Sequence, residues 1–143
     1  MRLDLRCRSG AWDQKGLRRE STLLAAATVI AYAAGAVTKC AEHRARPLSP
    51  VKLAPEGEPS FPSGHVLVIA TVAVVAVGLA WAHLNRVSRV PAVVAATTAT
   101  ILVESDRLVV GAHWFTDVAG SLVLAGAIAA VVPGAHAMLR PSQ

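Results

Sequence analysis

The run Val66-Leu67-Val68-Ile69-Ala70-Thr71-Val72-Ala73-Val74-Val75-Ala76-Val77-Gly78-Leu79-Ala80-Trp81-Ala82 decides the class of this protein, because it crosses 17 positions without a charge. Its Val and Ile content does not make it a strand. In lipid every backbone N–H and C=O must be paired within the segment, which favours a helix over an open strand. The rest of the chain agrees: over 143 residues, 54% are hydrophobic and only 16% charged. A soluble bundle of buried helices is the competing reading. The length of the uncharged runs favours a membrane protein.

Three more apolar runs flank this one. The reading is all-α, a polytopic membrane helical bundle of about four transmembrane helices, near residues 22–38, 65–83, 90–105 and 117–138. The third is the weakest, since Val90 to Val103 offers only 14 apolar residues, roughly 21 Å of helix. Pro91 is placed there in the first turn, where proline is tolerated. Pro133 and Gly134 are expected to kink the fourth. Residues 1–20 read as a basic cytoplasmic tail, 21–139 as the membrane domain and 140–143 as a second cytoplasmic tail. A basic tail before an apolar run also fits a cleavable leader, with Ala34-Gly35-Ala36 as the cleavage signal. Pro47, Pro50, Pro55, Pro59 and Pro62 make the stretch from Lys39 to Ser63 a loop.

Four spans put both termini on one side. The tails and the Asn85–Arg89 turn carry nine Lys and Arg, against five in the other two loops. The positive-inside rule therefore makes the termini cytoplasmic and the two other loops extracytoplasmic. The net charge of +5 sits in tails and loops of an apolar chain, which argues for orientation signals and an anion site rather than nucleic acid. Cys7 and Cys40 have neither pairing nor metal spacing.

The extracytoplasmic loops and helix ends bring together Lys39, Arg46, Ser63, Gly64, His65, Arg107, His113 and Asp117. Arginine forks and a lysine suit phosphate oxygens. The helix opening at Pro62-Ser63-Gly64-His65 can turn backbone N–H groups toward an anion, with Gly64 permitting close approach. Two histidines can divide phosphoryl transfer between them, His113 attacking phosphorus and His65 protonating the departing oxygen. Asp117, four residues after His113, is expected to hold its ring in one tautomer.

Lys39, six residues, then Arg46-Pro47; Pro62-Ser63-Gly64-His65; and Arg107, five residues, His113, three residues, Asp117: these three segments resemble the signature of the type 2 phosphatidic acid phosphatase superfamily. That superfamily includes lipid phosphate phosphatases, undecaprenyl-pyrophosphate phosphatases and vanadium haloperoxidases. Gly111 and Asp117-Val118-Ala119-Gly120 also look like its third motif. The resemblance covers about residues 22–139. It implies a covalent phosphohistidine on His113, Asp117 as its partner and His65 as acid. It also implies phosphate binding by Lys39, Arg46, Ser63, Gly64 and Arg107, with no metal required and no cofactor. Two departures stand out. Asp106 occupies the place before Arg107 where the family usually has serine, and four spans replace the usual six. The missing pair is either supplied by a partner subunit or dispensed with, and a homo-oligomer stays open.

The expected activity is hydrolysis of a lipid phosphate or pyrophosphate, of polyprenyl or phosphatidic acid type. Two other readings are a catalytically silent membrane subunit or scaffold, and a metal-dependent membrane hydrolase using His65, His113 and Asp117. His43, His83 and His136 read as interfacial or structural.

Overall fold

A threonine in lipid needs an acceptor for its hydroxyl, and these helices supply it internally. Thr28, Thr38, Thr71 and Thr100 each donate to the carbonyl four residues back at 2.7–2.9 Å, so they sit within apolar helices without an unmet hydrogen bond. The computed structural model of the chain describes residues 14–48 and 58–138, and the side chains among them from 16 to 132. It contains four helices: α1 (Gln14–Glu42), α2 (Gly64–Ala80), α3 (Arg86–Val109) and α4 (Phe115–Met138). Gly16–Glu42, Arg86–Val109 and Phe115–Val132 are long and apolar enough to cross a bilayer. The 17 residues of α2 make about 26 Å of helix.

The shortest helix is the central one. α2 packs against all three others, most extensively against α4. Ala27 and Ala31 of α1, Leu67, Ala70 and Val75 of α2, and Ala125, Ile128, Ala129 and Val132 of α4 form one buried cluster. Small residues let these backbones approach closely, which substitutes for the weak apolar driving force between helices in lipid. At Gly35 of α1 a Cβ would stand only 3.2 Å from Leu67 Cδ2. α3 is different, since none of its residues is buried and it leans on α2 alone among the well-packed pairs. Its exposed Val90, Val93, Val94, Ile101 and Leu102 suit contact with lipid.

Several boundaries differ from the sequence expectations. Asn85 accepts the Ser88 N–H at 2.8 Å and starts α3 at Arg86, before the apolar run begins. The helix then continues through Glu104 and Asp106 to Val109, giving 24 residues instead of a short third span. Pro91 consequently lies in the second turn, not the first, and the bond to the Val87 carbonyl is missing. α1 starts at Gln14, so the last part of the expected tail is helical, and it continues through Lys39 to Glu42. α4 remains helical through Pro133 and Gly134. The calls on residues 1–13, 49–57 and 139–143, and on the His136 side chain, lie outside what the structure describes.

The helices alternate in direction. The C-terminal ends of α1 and α3 and the N-terminal ends of α2 and α4 meet at one end of the bundle, around a shared cleft. At the other end His83 Nε2 lies 2.8 Å from Glu20 Oε1, tying the start of α1 to the turn after α2. Arg89 covers the Trp81 ring there, 4.7 Å from its centroid.

Candidate active site

The turn from α3 to α4 is built to present one histidine. Gly111 takes the left-handed φ of 68°. Its N–H bonds the Leu108 carbonyl at 3.0 Å, and that of Ala112 bonds the Arg107 carbonyl at 3.0 Å. This paired closure ends α3 sharply and favours glycine at that position. Five residues after Ala112, Asp117 in the first turn of α4 reaches back with Oδ2 to the Trp114 N–H at 2.9 Å. That is one half of a capping box. His113 is held between these two devices, 6% exposed.

Its ring is oriented by a backbone carbonyl. His113 Nδ1 donates to the Ser60 oxygen at 2.8 Å. A carbonyl only accepts, so Nδ1 carries the hydrogen and in the neutral ring the lone pair resides on Nε2. The expectation that Asp117 holds this ring needs revision in its geometry. Asp117 Oδ2 lies 3.6 Å from Nδ1, beyond hydrogen-bond reach, though close enough to attract a protonated ring. Its oxygens are committed elsewhere, Oδ2 to the cap and Oδ1 to Arg44 Nη1 at 3.0 Å. The carboxylate is fully buried.

A cleft of about 380 Å³ opens in front of His113, lined by Lys39, Arg46, Gly64, His65 and Arg107 among others. Six of the eight residues singled out in the sequence therefore share one cavity. Lys39 comes from the last turn of α1, Gly64 and His65 from the first turn of α2, and Arg107 from the last turn of α3. Arg46 is clamped, with Nη1 on the Ala112 carbonyl at 2.9 Å and Nη2 on Glu58 Oε2 at 3.0 Å. Arg107 Nε donates to Asp106 Oδ2 at 2.8 Å. The unexpected acid at 106 thus holds the arginine that follows it.

The other two lie behind the cleft. Asp117 supports His113 from below, and Ser63 is fully buried at the N-cap of α2. The Ser63 N–H donates to Ser121 Oγ at 2.9 Å, while its own hydroxyl has no partner among the described residues. Its present role is to join α2 to α4, with the backbone of the following Gly64 facing the cavity.

Arg44 is one of the residues that sequence reasoning missed. It bonds Thr116 Oγ1 at 2.6 Å as well as Asp117, and it lies 5.9 Å from the Trp114 ring centroid. Trp114 in turn donates Nε1–H to the Ala45 carbonyl at 3.0 Å. The signal was available in the adjacency of Arg44 and Arg46, two guanidinium groups flanking one loop residue. Only the fold shows that they point to different jobs.

Burial holds the His113 pKa below its ordinary value, and the positive charge of Arg46 lowers it further. The Ser60 carbonyl and Asp117 oppose these effects, and Lys39 adds to them. The ring is therefore neutral at pH 7, the state required of a nucleophile. Removing a nearby cation stabilises the protonated ring and raises its pKa. Arg46→Gln should accordingly move the acidic limb of the activity–pH profile to higher pH, while lowering activity at the optimum. A limb that stays in place or moves to lower pH contradicts this electrostatic coupling.

Phe61, next to the Ser60 that holds His113, packs on Gly120 of α4. A Cβ added there would overlap Phe61 Cε2 and lie 2.7 Å from Cζ, so the ring and its loop must shift. Gly120→Ala should lower stability by about 1–3 kcal/mol, the usual cost of overpacking. It should also reduce activity by displacing Ser60. Thermal unfolding in detergent that is unchanged from the parent would contradict the contact.

Among the described residues no three His, Cys, Asp or Glu side chains cluster as metal ligands. With this geometry in place, the comparison with known proteins is direct. The family model of the PAP2 superfamily matches residues 20–141. The chain belongs to the PAP2 superfamily. Among solved structures it is similar to the transmembrane PAP2 type phosphatidylglycerolphosphate phosphatase from Bacillus subtilis, with a TM-score of 0.72 and 28% identity. The alignment covers 87% of this chain and 62% of that PAP2 protein, so the chain spans less than two thirds of its relative's length. No curated protein sequence matches. Three apolar helices of spanning length and a transmembrane PAP2 fold make this a membrane protein.

Proposed function

We propose that this PAP2 protein is a membrane lipid phosphatase that works through a phosphohistidine on His113. The observation that carries the reading is the Nδ1–H to Ser60 bond at 2.8 Å, which leaves the lone pair of a neutral ring on Nε2 beside a cleft lined by Lys39, Arg46 and Arg107. In the first step Nε2 attacks phosphorus, the bond to the leaving alcohol or phosphate oxygen breaks, and His65 gives that oxygen a proton. In the second, His65 takes a proton from water, whose oxygen displaces the histidine and releases phosphate. The three cations stabilise charge on the equatorial oxygens throughout. Ser63 and Gly64 contribute the helix start, and Asp117 stabilises the imidazolium that forms on attack.

A lipid substrate is supported by the position of the cleft at the ends of membrane helices and by the relative's activity on phosphatidylglycerolphosphate. The charge asymmetry of the loops supports cytoplasmic termini, with 1–20 and 140–143 as tails flanking a phosphatase domain at 21–139 and the cleft on the extracytoplasmic side. The test is phosphate release from a panel of lipid phosphates by the purified protein in detergent, with and without chelator. Release that survives chelation and disappears in His113→Ala is expected. Equal release by parent and variant from every lipid would overturn the reading.

A further inference from the structure

A second cavity, of about 480 Å³, runs between α2, α3 and α4. Its walls include Ala70 and Val74 of α2, Val93, Thr97 and Glu104 of α3, and Leu122 of α4. The groove exists because α3 leans on α2 without burying any residue. It lies next to the cationic cleft, with Ile69 and Arg107 lining the cleft and Ala70 and Glu104 the groove. Glu104 is three residues before Arg107, on the same face of α3 and about 4.5 Å further from the cleft along the helix axis.

Glu104 is the odd member of this apolar lining. A carboxyl group within a spanning helix is costly and calls for a functional partner. Arg107 sits at the i,i+3 spacing that would suit a salt bridge, yet its guanidinium is engaged by Asp106 instead. The Thr100 hydroxyl nearby is already bonded to the Ala96 carbonyl. Glu104 thus lines the groove at its end nearest the cleft, without a hydrogen-bond partner among the described residues.

We infer that the groove holds a hydrocarbon chain of the lipid whose phosphate occupies the cleft, and that Glu104 selects lipid phosphates with a glycerol unit beside the phosphate by accepting a hydrogen bond from its free hydroxyl. This rests on the lipid phosphatase reading above and narrows its substrate class. A chain attached directly to phosphate, as in an alkyl or polyprenyl phosphate, would place methylene groups against the carboxyl and leave it unpaired. Specificity built on a hydrogen bond rejects an analogue lacking the partner more strongly than an apolar pocket rejects a change in size.

The deciding experiment compares 1-acylglycerol 3-phosphate with a straight-chain alkyl monophosphate of similar length, for the parent, Glu104→Gln and Glu104→Leu proteins in the same detergent. Each substrate offers one phosphate and one chain, and they differ in the glycerol unit. The parent should prefer the glycerol lipid in kcat/KM. Glu104→Leu should lower that preference roughly tenfold, chiefly through KM, the size of one hydrogen bond to a charged group. Glu104→Gln, which still offers donor and acceptor, should retain most of it. An unchanged ratio in Glu104→Leu, or no preference in the parent, overturns the inference and leaves the phosphatase reading intact. A parent protein that releases phosphate from neither substrate nor any other lipid phosphate overturns both.

Discussion

Replacing His113 by alanine is expected to reduce phosphate release by roughly a thousandfold or more, the loss typical when a covalent nucleophile is removed and only binding and electrostatics remain. The size follows from the way the ring is prepared. Burial and the adjacent cations keep it neutral, and the Ser60 carbonyl fixes which nitrogen carries the lone pair. No other described histidine has this preparation. His65 lies exposed in the cleft, and His83 is at the opposite end of the bundle beside Glu20. A labelled phosphate substrate should also leave label on the protein after a rapid quench, as a phosphoramidate that is stable in alkali and lost in acid. His113→Asn, which conserves polarity but cannot carry the phosphoryl group in the same way, should trap none. Label that persists in His113→Asn would place the nucleophile elsewhere.

Removing Arg44 is also expected to have a large effect, on stability and turnover together, although this residue is outside the cleft. Asp117 is fully buried, and Arg44 Nη1 is the cation on its Oδ1. Breaking a fully buried pair by deleting one partner costs about 3–5 kcal/mol, because the remaining charge is stranded. The Arg44 side chain is 40% exposed, so water screens the pair and the loss in Arg44→Ala should be about 1–2 kcal/mol. The accompanying fall in activity should be about tenfold, since Asp117 caps α4 directly beneath His113. Lysine can supply the charge without the planar fork, so Arg44→Lys should recover part of both losses. The measurements are thermal unfolding in detergent and kcat for the same lipid phosphate. An Arg44→Ala protein with unaltered stability and turnover would show that the ion pair contributes nothing to the site.

Much of the site could be read along the chain because its residues stand at helix ends, where spacing translates directly into placement. Lys39, Gly64, His65, Arg107 and His113 flank apolar runs, and topology alone sends those ends to one face of a membrane bundle. Arg44 and Glu58 could not be found this way. They lie in the irregular loop between α1 and α2, where no periodicity relates position to direction, and their partners Asp117 and Arg46 are reached only through folding. The same limit explains Asp117, whose i,i+4 spacing to His113 predicts that it holds the ring in one tautomer. Helix spacing brings the two side chains near each other, but the backbone carbonyl of Ser60, 53 residues away, takes the Nδ1 hydrogen.

By itself the sequence determined an all-helical membrane protein with four apolar helices and a cluster of cations and histidines at their ends. Lipid accepts few alternatives once uncharged runs of that length exist, because every backbone group must bond within its own helix. Tertiary structure decided what composition leaves open: that short α2 is the centre of the bundle, that α3 stands apart to leave a groove containing Glu104, and that Asp106 holds Arg107. These depend on which small residues let two helices approach and on which polar atoms meet across long separations in the chain, and neither is encoded in local pattern.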